Sequence, residues 1–340
     1  MLIPTDLRTL VLRHYQSLRH PVLLSNLTHS MLSTLLPYIC TTKTTYASIP
    51  TNPKIKRFEG GRSFSPSLYF PASSYIFNNL LIDTSPSGCY THLPFSDFNR
   101  ILLTHHHEDH SGSVGRFIGD DSHEVYMSQQ TLDIMSKTKG HFPMQFYEHL
   151  LYSRPARFDG ESKGNVSVVE DGAYLPTYDE GDGGREVEGY VYSTPGHAQD
   201  MVIYHVPEEN TLFAGDLFLN ENRFFFRSDE CFDSILSSVD KILKLEDWDT
   251  LLCAHEPVFE GGREALNRKR EYLTAIQVKI KSLHQEGFSD TEISSIVFKR
   301  ATSMRFLWVM CGGDVSPLNI VRSVLYGPVM RNNIKTALLK

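Results

Sequence analysis

Four side chains that can bind a metal ion occur within one short stretch of the chain, Thr104–Gly112: His105, His107, Asp109 and His110. The apolar run Arg100–Leu103 precedes this stretch and predicts a short buried strand that ends at the histidines. On a turn that leaves a strand tip, such close spacing lets imidazole and carboxylate groups converge on one point. Imidazole together with carboxylate suits zinc, and also iron or manganese. The alternative interpretation is a solvated, histidine-rich loop.

Three later segments of the chain repeat this arrangement, since each is an apolar run with a potential metal ligand at its end. The ligand-type residues delivered in this way are His197, Asp216 and His255. A sheet whose strands each end in such a residue lines a site along one edge. The three later segments therefore strengthen the metal-site interpretation over the solvated-loop one.

These seven residues together resemble the metallo-β-lactamase superfamily, whose pattern is H-x-H-x-D-H followed by separate H, D and H motifs. The resemblance covers roughly residues 54–262, and all four motifs occur in the expected order. It implies an α/β fold, the αββα four-layer metallo-β-lactamase sandwich, here with a C-terminal helical appendage. The expected domains are an N-terminal extension at residues 1–50, the metallo-β-lactamase domain at 51–262 and a helical domain at 263–340.

The resemblance also implies a ligand set. His105, His107 and His197 would hold one metal, Asp109, His110 and His255 the other, and Asp216 would bridge them. The expected cofactor is two zinc ions per chain, with iron or manganese as alternatives. Asp109 and Asp83 are the expected catalytic carboxylates, and in the family an aspartate at the Asp83 position braces the metal-binding loop. His106 and Glu108 occupy the variable positions of the motif and are expected to point away from the metals.

A dinuclear site of this kind predicts hydrolysis. Two metals ~3.5–4 Å apart share a water and lower its pKa, so that a metal-bridging hydroxide exists at neutral pH. Asp216 matters here, because the best-known lactamases carry Cys at this position, whereas the glyoxalase II, lactonase and nuclease branches carry Asp. The segment from Asp216 to His255 is too short for the large insertion of the β-CASP nucleases.

Three reactions stay open at this stage. The first is hydrolysis of a thioester or ester, as in glyoxalase II, with a small-molecule substrate. The second is endoribonuclease or phosphodiesterase activity, which would use the basic C-terminal region as a clamp. The third is a mononuclear iron enzyme similar to persulfide dioxygenase. An aromatic run flanked by Arg223 and Arg227 would bind an acyl or anionic group, or would simply pack against the body.

The composition bears on the partner and the cellular location of the protein. The 340-residue chain has a formal net charge of −7, with basic ends and an acidic middle, which argues mildly against nucleic acid as the partner. No apolar run approaches the ~20 residues that a membrane span needs. Five scattered cysteines without a Cys-x-x-Cys pair are typical of a reducing compartment, and we expect the cytoplasm. The composition does not predict an oligomeric state.

The N-terminal region leaves a second location open. Residues Leu7–Leu24 have apolar residues at helical spacing with arginines between them, in a surrounding sequence that is poor in acids. Such a start is typical of a mitochondrial transit peptide, which makes the mitochondrial matrix the alternative location, or of a helix packed on the body.

The segment at 140–189 is rich in turns, and in the family this region shapes the substrate pocket. Candidate contacts there are His141, Phe142, Phe146, Tyr147 and His149.

Overall fold

The computed structural model describes residues 41–65, 68–138, 164–299 and 311–328. The predicted helix at Leu7–Leu24 and the five candidate pocket residues between His141 and His149 lie outside this part of the chain. The chain divides into two compact units, one formed by Met1–Thr41 with Ser63–Tyr69 and the other by Thr42–Arg62 with Phe70–Lys340. The described part of the first unit consists of strand residues. The second unit contains every candidate site residue.

The larger sheet has seven strands in sequential order, β1-β2-β3-β4-β5-β6-β7. Strand β3 pairs with β4 antiparallel, and β4 to β7 run parallel to one another. The strands are Thr41–Ser48 (β1), Ile55–Ser65 (β2), Leu68–Phe77 (β3), Leu80–Ile82 (β4), Arg100–Leu102 (β5), Glu124–Ser128 (β6) and Val166–Val169 (β7).

The second sheet has five strands in the order β15-β13-β12-β11-β8. Its strands are Ala173–Tyr174 (β8), Tyr190–Ser193 (β11), Val202–Val206 (β12), Thr211–Gly215 (β13) and Thr250–Cys253 (β15). Two small sheets complete the described strands. They pair Thr177–Asp179 (β9) with Arg185–Val187 (β10), and Phe226–Arg227 (β14) with Val315–Ser316 (β16).

Six α-helices lie in the described residues. They are Glu108–Ser111 (α1), Gln129–Thr138 (α2), Phe232–Ile242 (α3), Gly262–Gln285 (α4), Asp290–Val297 (α5) and Pro317–Tyr326 (α6). None of them is long and apolar enough to cross a bilayer.

Three buried clusters show how the layers stack. One joins the two sheets and contains Phe77 and Ile82 from the first sheet with Phe213 and Leu252 from the second. A second cluster packs the outer face of the seven-stranded sheet against α2. The third packs the five-stranded sheet against α3, α4 and α6. This order of helix, sheet, sheet and helix confirms the predicted αββα sandwich.

Local patterns predicted most element positions. Two apolar runs on either side of Asn78-Asn79 predict a hairpin, and it is present, with Tyr75 opposite Ile82, Phe77 opposite Leu80 and Asn78 in the left-handed conformation at its turn. The sequence Ser289-Asp290-Thr291-Glu292 predicts a capping box, which is formed with both reciprocal hydrogen bonds.

Two helix boundaries differ from the prediction. The small residues Ser111-Gly112-Ser113 predict a helix that opens there, but the helix begins at Glu108 and ends at Ser111, with His107 as its N-cap. The sequence predicts a second helix over Asp233–Leu245, and the helix observed there spans Phe232–Ile242.

The predicted boundary at residue 263 between a metallo-β-lactamase domain and a helical domain stays a prediction. Helix α4 begins at Gly262, next to that boundary. Its side chains Ala265, Leu266 and Leu273 nevertheless share one buried cluster with Ile203 and Leu212 of the five-stranded sheet. The C-terminal helices therefore take part in positioning whatever lies at the end of that sheet.

Candidate metal centre

All seven predicted ligand residues lie at the ends of strands, on one edge of the sandwich. Strand β5 leads through Thr104 to His105 and His107, and helix α1 carries Asp109 and His110. Strands β13 and β15 are parallel, with Gly215 opposite Cys253, so that Asp216 and His255 leave neighbouring strands on the same side. The two sheets thus bring residues that are far apart in the sequence to one place.

His197 depends on a glycine. The turn after β11 passes through Gly196, whose φ of 142° favours glycine, and a Cβ there would lie 2.5 Å from the backbone nitrogen of Ile235. The close packing of this turn on α3 brings the His197 ring into the site.

Three histidines form the first group. The Nδ1 atom of His107 lies 3.0 Å from Nε2 of His105 and 3.0 Å from Nε2 of His197. All three side chains are buried, at 4 % exposure or less. Three imidazole nitrogens that face one another at this distance leave a single space between them.

A second group combines imidazole and carboxylate. The Nε2 atom of His255 lies 3.2 Å from Oδ2 of Asp109, and Nε2 of His110 lies 3.9 Å from the same oxygen. Asp216 reaches both groups, since its Oδ2 lies 3.2 Å from Nε2 of His197 and 3.5 Å from Nε2 of His255. Its Oδ1 lies 3.4 Å from Nε2 of His110.

The donor set fits a metal ion. In each of three groups the potential ligand atoms lie within 4.8 Å of one another: His105/His107/His197, His105/His110/Asp216 and Asp109/His110/His255. Within the described part of the chain, buried Nε2 of His110 and Oδ1 of Asp216 have no hydrogen-bond partner. Buried polar atoms are rarely left unpaired, and a cation bound between these two atoms would satisfy both. The chain therefore carries a His/Asp metal-binding cluster.

The hydrogen bonds made by the outer ring nitrogens explain why the inner ring nitrogens are able to bind a metal. The Nδ1 of His255 donates to the carbonyl of Pro71 at 2.9 Å, and the Nδ1 of His110 lies 2.7 Å from Oδ2 of Asp83. A neutral imidazole carries one N–H, so an acceptor at Nδ1 leaves the lone pair of Nε2 directed into the cluster.

Thr104 gives His105 the same orientation. Its hydroxyl donates to Asp83 Oδ2 at 2.9 Å and therefore accepts from Nδ1 of His105, which lies 3.0 Å away. The backbone N–H of Thr104 also donates to Oδ1 of Asp83 at 2.8 Å. Asp83, in the left-handed conformation with φ of 63°, thus contacts the loop at several points. This is the bracing position expected for it, and its catalytic role stays a prediction.

Burial and neighbouring charges shift the pKa values of the ligand histidines in different directions. Burial, with the neighbouring histidines, holds the pKa of His105 well below its ordinary value, and burial does the same for the pKa of His107. These two rings are neutral and ready to bind a metal. Burial also opposes a charge on His255, but the carboxylates of Asp216 and Asp109 raise its pKa well above the ordinary value.

The carboxylates respond in the opposite direction. Burial works against ionisation of Asp216, but His255, His110 and His197 together hold its pKa well below the ordinary value. The pKa of Asp109 is lowered for the same reason, by His110 and His255 against burial. Both side chains are therefore ionised at neutral pH, as metal binding requires.

The ring of His106 points away from the cluster, as expected, and contacts Asp200 instead. Oδ1 of Asp200 lies 2.8 Å from His106 Nδ1, and its Oδ2 accepts from the His106 backbone N–H at 2.8 Å and from the Thr131 hydroxyl at 2.7 Å. Asp200 therefore fixes the backbone between two ligand residues. This role was not predicted from the sequence, although a lone carboxylate just before the apolar strand β12 is the signal for such a role. Glu108, the other variable position, belongs to none of the three metal-binding groups found among the described residues.

The arginine-flanked aromatic run does not present Arg223 to a substrate. Its guanidinium is 5 % exposed and donates to both oxygens of buried Glu230, at 2.6 Å each. Burial opposes a charge on Glu230, but Arg223 and then His197 hold its pKa below the ordinary value. Phe226 is buried as well. The packing alternative describes this segment better than the anion-binding one.

Comparison with known proteins agrees with this geometry. The family model described as "Metallo-beta-lactamase superfamily" matches residues 73–255, more than half of the chain and including every predicted ligand. The chain belongs to the metallo-beta-lactamase superfamily. This membership confirms the resemblance identified from the seven ligand-type residues.

Individual relatives within the superfamily are distant. A probable metallo-hydrolase of Bacillus subtilis (strain 168) is 30 % identical over 139 residues, which cover 36 % of this chain and 41 % of the relative. A hydroxyacylglutathione hydrolase of Enterobacter sp. (strain 638) is 28 % identical over 159 residues, which cover 46 % of this chain and 47 % of the relative. The chain thus spans less than half the length of either relative.

Solved structures support the superfamily fold. A metallo-beta-lactamase family protein from Thermus thermophilus superposes with a TM-score of 0.50 at 19 % identity, covering 83 % of this chain and 90 % of the other. A double mutant of the sec-alkyl sulfatase PisA1 gives a TM-score of 0.52 at 14 % identity, covering 87 % of this chain and 52 % of the other. At such identities the similarity concerns the fold alone.

Proposed function

We propose that the protein is a metal-dependent hydrolase that acts on a small thioester or ester. In this proposal His105, His107 and His197 hold one metal, and Asp109, His110 and His255 hold the second. Asp216 lies between the two. The observation that carries the proposal is the position of Asp216, whose two oxygens lie within 3.5 Å of histidines from both groups. Zinc is the proposed metal, because imidazole and carboxylate are among its common ligands.

When bound, a pair of divalent metals supplies a hydroxide nucleophile at neutral pH and a Lewis acid for the substrate's carbonyl oxygen. The residues around the pair keep the ligands in place. Asp83 and Thr104 hold the rings of His110 and His105, so that no ligand has to reorient when substrate arrives. The ionised Asp109 and Asp216 are acceptors only, so neither donates a hydrogen bond to an incoming acyl oxygen, and polarising that oxygen is left to the bound metal.

Substrate is proposed to approach from the side of His255. The side chain of His255 is 27 % exposed, whereas those of Asp109 and Asp216 are 7 % and 4 % exposed. The other ligand residues are all buried. A small acyl compound would therefore meet the metal-binding group that contains His255 and Asp109 first.

The thioester class is supported by the hydroxyacylglutathione hydrolase among the relatives. An Asp at position 216, where the best-known lactamases have Cys, favours the same branch. The thiols of Cys89, Cys231 and Cys253 are free, which agrees with a reducing compartment. We propose the cytoplasm, with the mitochondrial matrix as the alternative.

Metal analysis paired with two substrates tests the proposal. The wild-type protein and an Asp216→Asn variant, which keeps the shape of the side chain but removes its charge, would be assayed for zinc content and for hydrolysis of an acyl-glutathione thioester and a short RNA. We expect two zinc ions and thioester turnover in the wild type, and loss of both in the variant.

Other outcomes would contradict the proposal in different ways. One iron per chain would overturn the dinuclear site. RNA cleavage without thioester turnover would overturn the substrate class, and RNA binding should then weaken steeply with added salt, as phosphate contacts do. Equal turnover in the wild type and in Asp216→Asn would remove Asp216 from the mechanism.

A further inference from the structure

A buried ion pair lies directly behind the first metal-binding group. Arg223 and Glu230 form a two-pronged pair in the segment that links Asp216 to helix α3, with both N–O distances at 2.6 Å. The exposed fractions of the two side chains are 5 % and 0 %. Such a pair does not by itself stabilise a fold, because the cost of removing two charges from water offsets their attraction. Its position next to a ligand suggests a different role.

Glu230 faces the outer nitrogen of a metal-binding residue. Its Oε2 lies 3.4 Å from Nδ1 of His197, on the side of the ring opposite to the Nε2 that faces His107 and Asp216. A carboxylate in this place favours the proton on Nδ1 and leaves the lone pair on Nε2. His105, His110 and His255 each have an acceptor at the same ring position. Nδ1 of His197 has no hydrogen-bond partner among the described residues, and the Glu230 carboxylate, 3.4 Å away, is the group placed to accept its proton.

The segment that carries Glu230 is fixed by the C-terminal helix α6. The Ser323 hydroxyl donates to the carbonyl of Glu230 at 2.8 Å and accepts from the backbone N–H of Phe232, also at 2.8 Å. The Asn319 amide donates to the carbonyl of Phe226 at 3.1 Å. Within the segment, the backbone N–H of Arg227 donates to Oε1 of Glu230 at 2.8 Å. A continuous set of contacts therefore runs from α6 through Glu230 to His197.

We propose that Glu230, held in place by Arg223 and by helix α6, is a positioning residue that orients His197 for metal binding. This inference rests on the proposed metal centre and deepens it. It gives the C-terminal helix α6 a role in the chemistry of the site, because α6 holds the acceptor for His197 and lies outside the strand ends that carry the ligands. Arg223 acts on Glu230 and has no direct contact with the metal-binding atoms in this assignment.

The test removes both charges together, so that neither is left buried and alone. An Arg223→Met/Glu230→Met double variant replaces the pair by apolar side chains of similar length, a change that buried ion pairs often tolerate without loss of stability. We expect zinc affinity at the three-histidine group to fall by roughly 10- to 100-fold, the usual effect of removing such a partner. Zinc affinity would be measured by competition with a chromophoric chelator.

A surface ion pair between Glu221 of the same segment and helix α4 provides the matched control. Arg268 of helix α4 and Glu221 also pair, at 2.7 Å, but their side chains are 45 % and 32 % exposed and neither is a member of a metal-binding group found among the described residues. An Arg268→Met/Glu221→Met variant removes the same two charge types. We expect it to bind zinc as the wild type does.

The ring nitrogens of His197 give a second readout. In ¹⁵N-resolved NMR spectra of the zinc-loaded wild type, we expect His197 to be protonated on Nδ1. The double variant should lose this single form. These spectra follow the orientation of the ligand and do not depend on turnover.

Each outcome has a distinct meaning. Zinc affinity within twofold of the wild type in a folded double variant would overturn the positioning role, as would an equal loss in the surface control. If the double variant does not fold, Glu230→Gln decides by the same titration, and unchanged zinc affinity there would overturn the inference. A wild-type protein that takes up no zinc would instead overturn the proposed metal centre on which the inference rests.

Discussion

Lys269 provides the sharpest test of the electrostatics around the site. It is 3 % exposed in helix α4, and its ammonium donates to the backbone carbonyls of Leu217, at 2.9 Å, and Phe218. These carbonyls belong to the turn that follows Asp216. Burial, with a further contribution from the charge of Arg223, lowers the pKa of Lys269 from 10.5 to about 7. The folded protein therefore prefers the neutral amine, whereas the unfolded chain keeps the charged one.

The sign of the effect follows from proton binding. Between the folded and unfolded pKa values, from about 7 to 10.5, the unfolded state holds more protons on this residue, so its contribution to stability rises with pH. Below about pH 7 Lys269 is charged in both states, and the full cost of burying its charge then reduces the free energy of unfolding. The limiting slope is about 1.4 kcal/mol per pH unit. Between pH 7.5 and 9.5 the free energy of unfolding of the wild type should therefore gain roughly 2 to 3 kcal/mol from Lys269 alone.

A Lys269→Met variant isolates this contribution. Methionine fills the same buried volume without a titrating group, so the difference in unfolding free energy between variant and wild type should favour the variant most at pH 7.5. By pH 9.5 that difference should have fallen by the same roughly 2 to 3 kcal/mol. Urea unfolding of the metal-free proteins at a series of pH values measures it, and subtraction removes groups common to both proteins.

An exposed lysine of the same helix serves as the control. Lys279 is exposed on α4, and Lys279→Met makes the same substitution outside the core. A flat difference for Lys269→Met over the same range would show that its ammonium stays charged in the folded state. The argument from burial would then be wrong.

Three further predictions concern the metal-binding loop. His110→Ala should lower the zinc content by one ion per chain and remove most hydrolysis, because this ring faces Asp109 and Asp216; wild-type zinc content in elemental analysis would refute the ligand assignment. Asp200→Asn places an amide where the carboxylate now accepts three hydrogen bonds, and it should lower the unfolding free energy by about 1–3 kcal/mol in denaturant titrations. An unchanged midpoint would contradict the bracing of the loop by Asp200. Gly112→Ala would put a Cβ 2.4 Å from the carbonyl oxygen of Glu108 and 2.6 Å from the backbone nitrogen of Ser87. We expect the free energy of unfolding to fall by about 1–3 kcal/mol. Thermal unfolding at the wild-type temperature would contradict this expectation.

Much of the site was predictable from the sequence, because a local pattern predicts each ligand residue. An apolar strand of a few residues followed at once by a His or Asp can be read without knowing the rest of the fold, and four such segments in order predicted all seven residues of the cluster. The hairpin around Asn78 and the capping box at Ser289 were equally local. Each depends on residues within about four positions of one another.

The burial of Lys269 was predictable from the sequence. This lysine falls in the same helical stripe as Leu266, Leu273 and Ile276, three and four residues apart, so its burial follows from the periodicity of α4. What the stripe could not predict is the partner, since the carbonyls of Leu217 and Phe218 come from a distant turn.

The sequence by itself determined the sandwich, the seven ligand-type residues and their division among four strand ends. Only the tertiary structure decided which groups orient those ligands. The sequence around Glu230 does not mark its role, and the position of Asp200 before strand β12 does not identify its partners. Both roles arise because α6 holds one segment behind His197 and the start of β12 packs beside His106. Contacts of this kind depend on how sheets and helices pack across long sequence separations, whereas a strand and the residue at its end are fixed by neighbours in the chain.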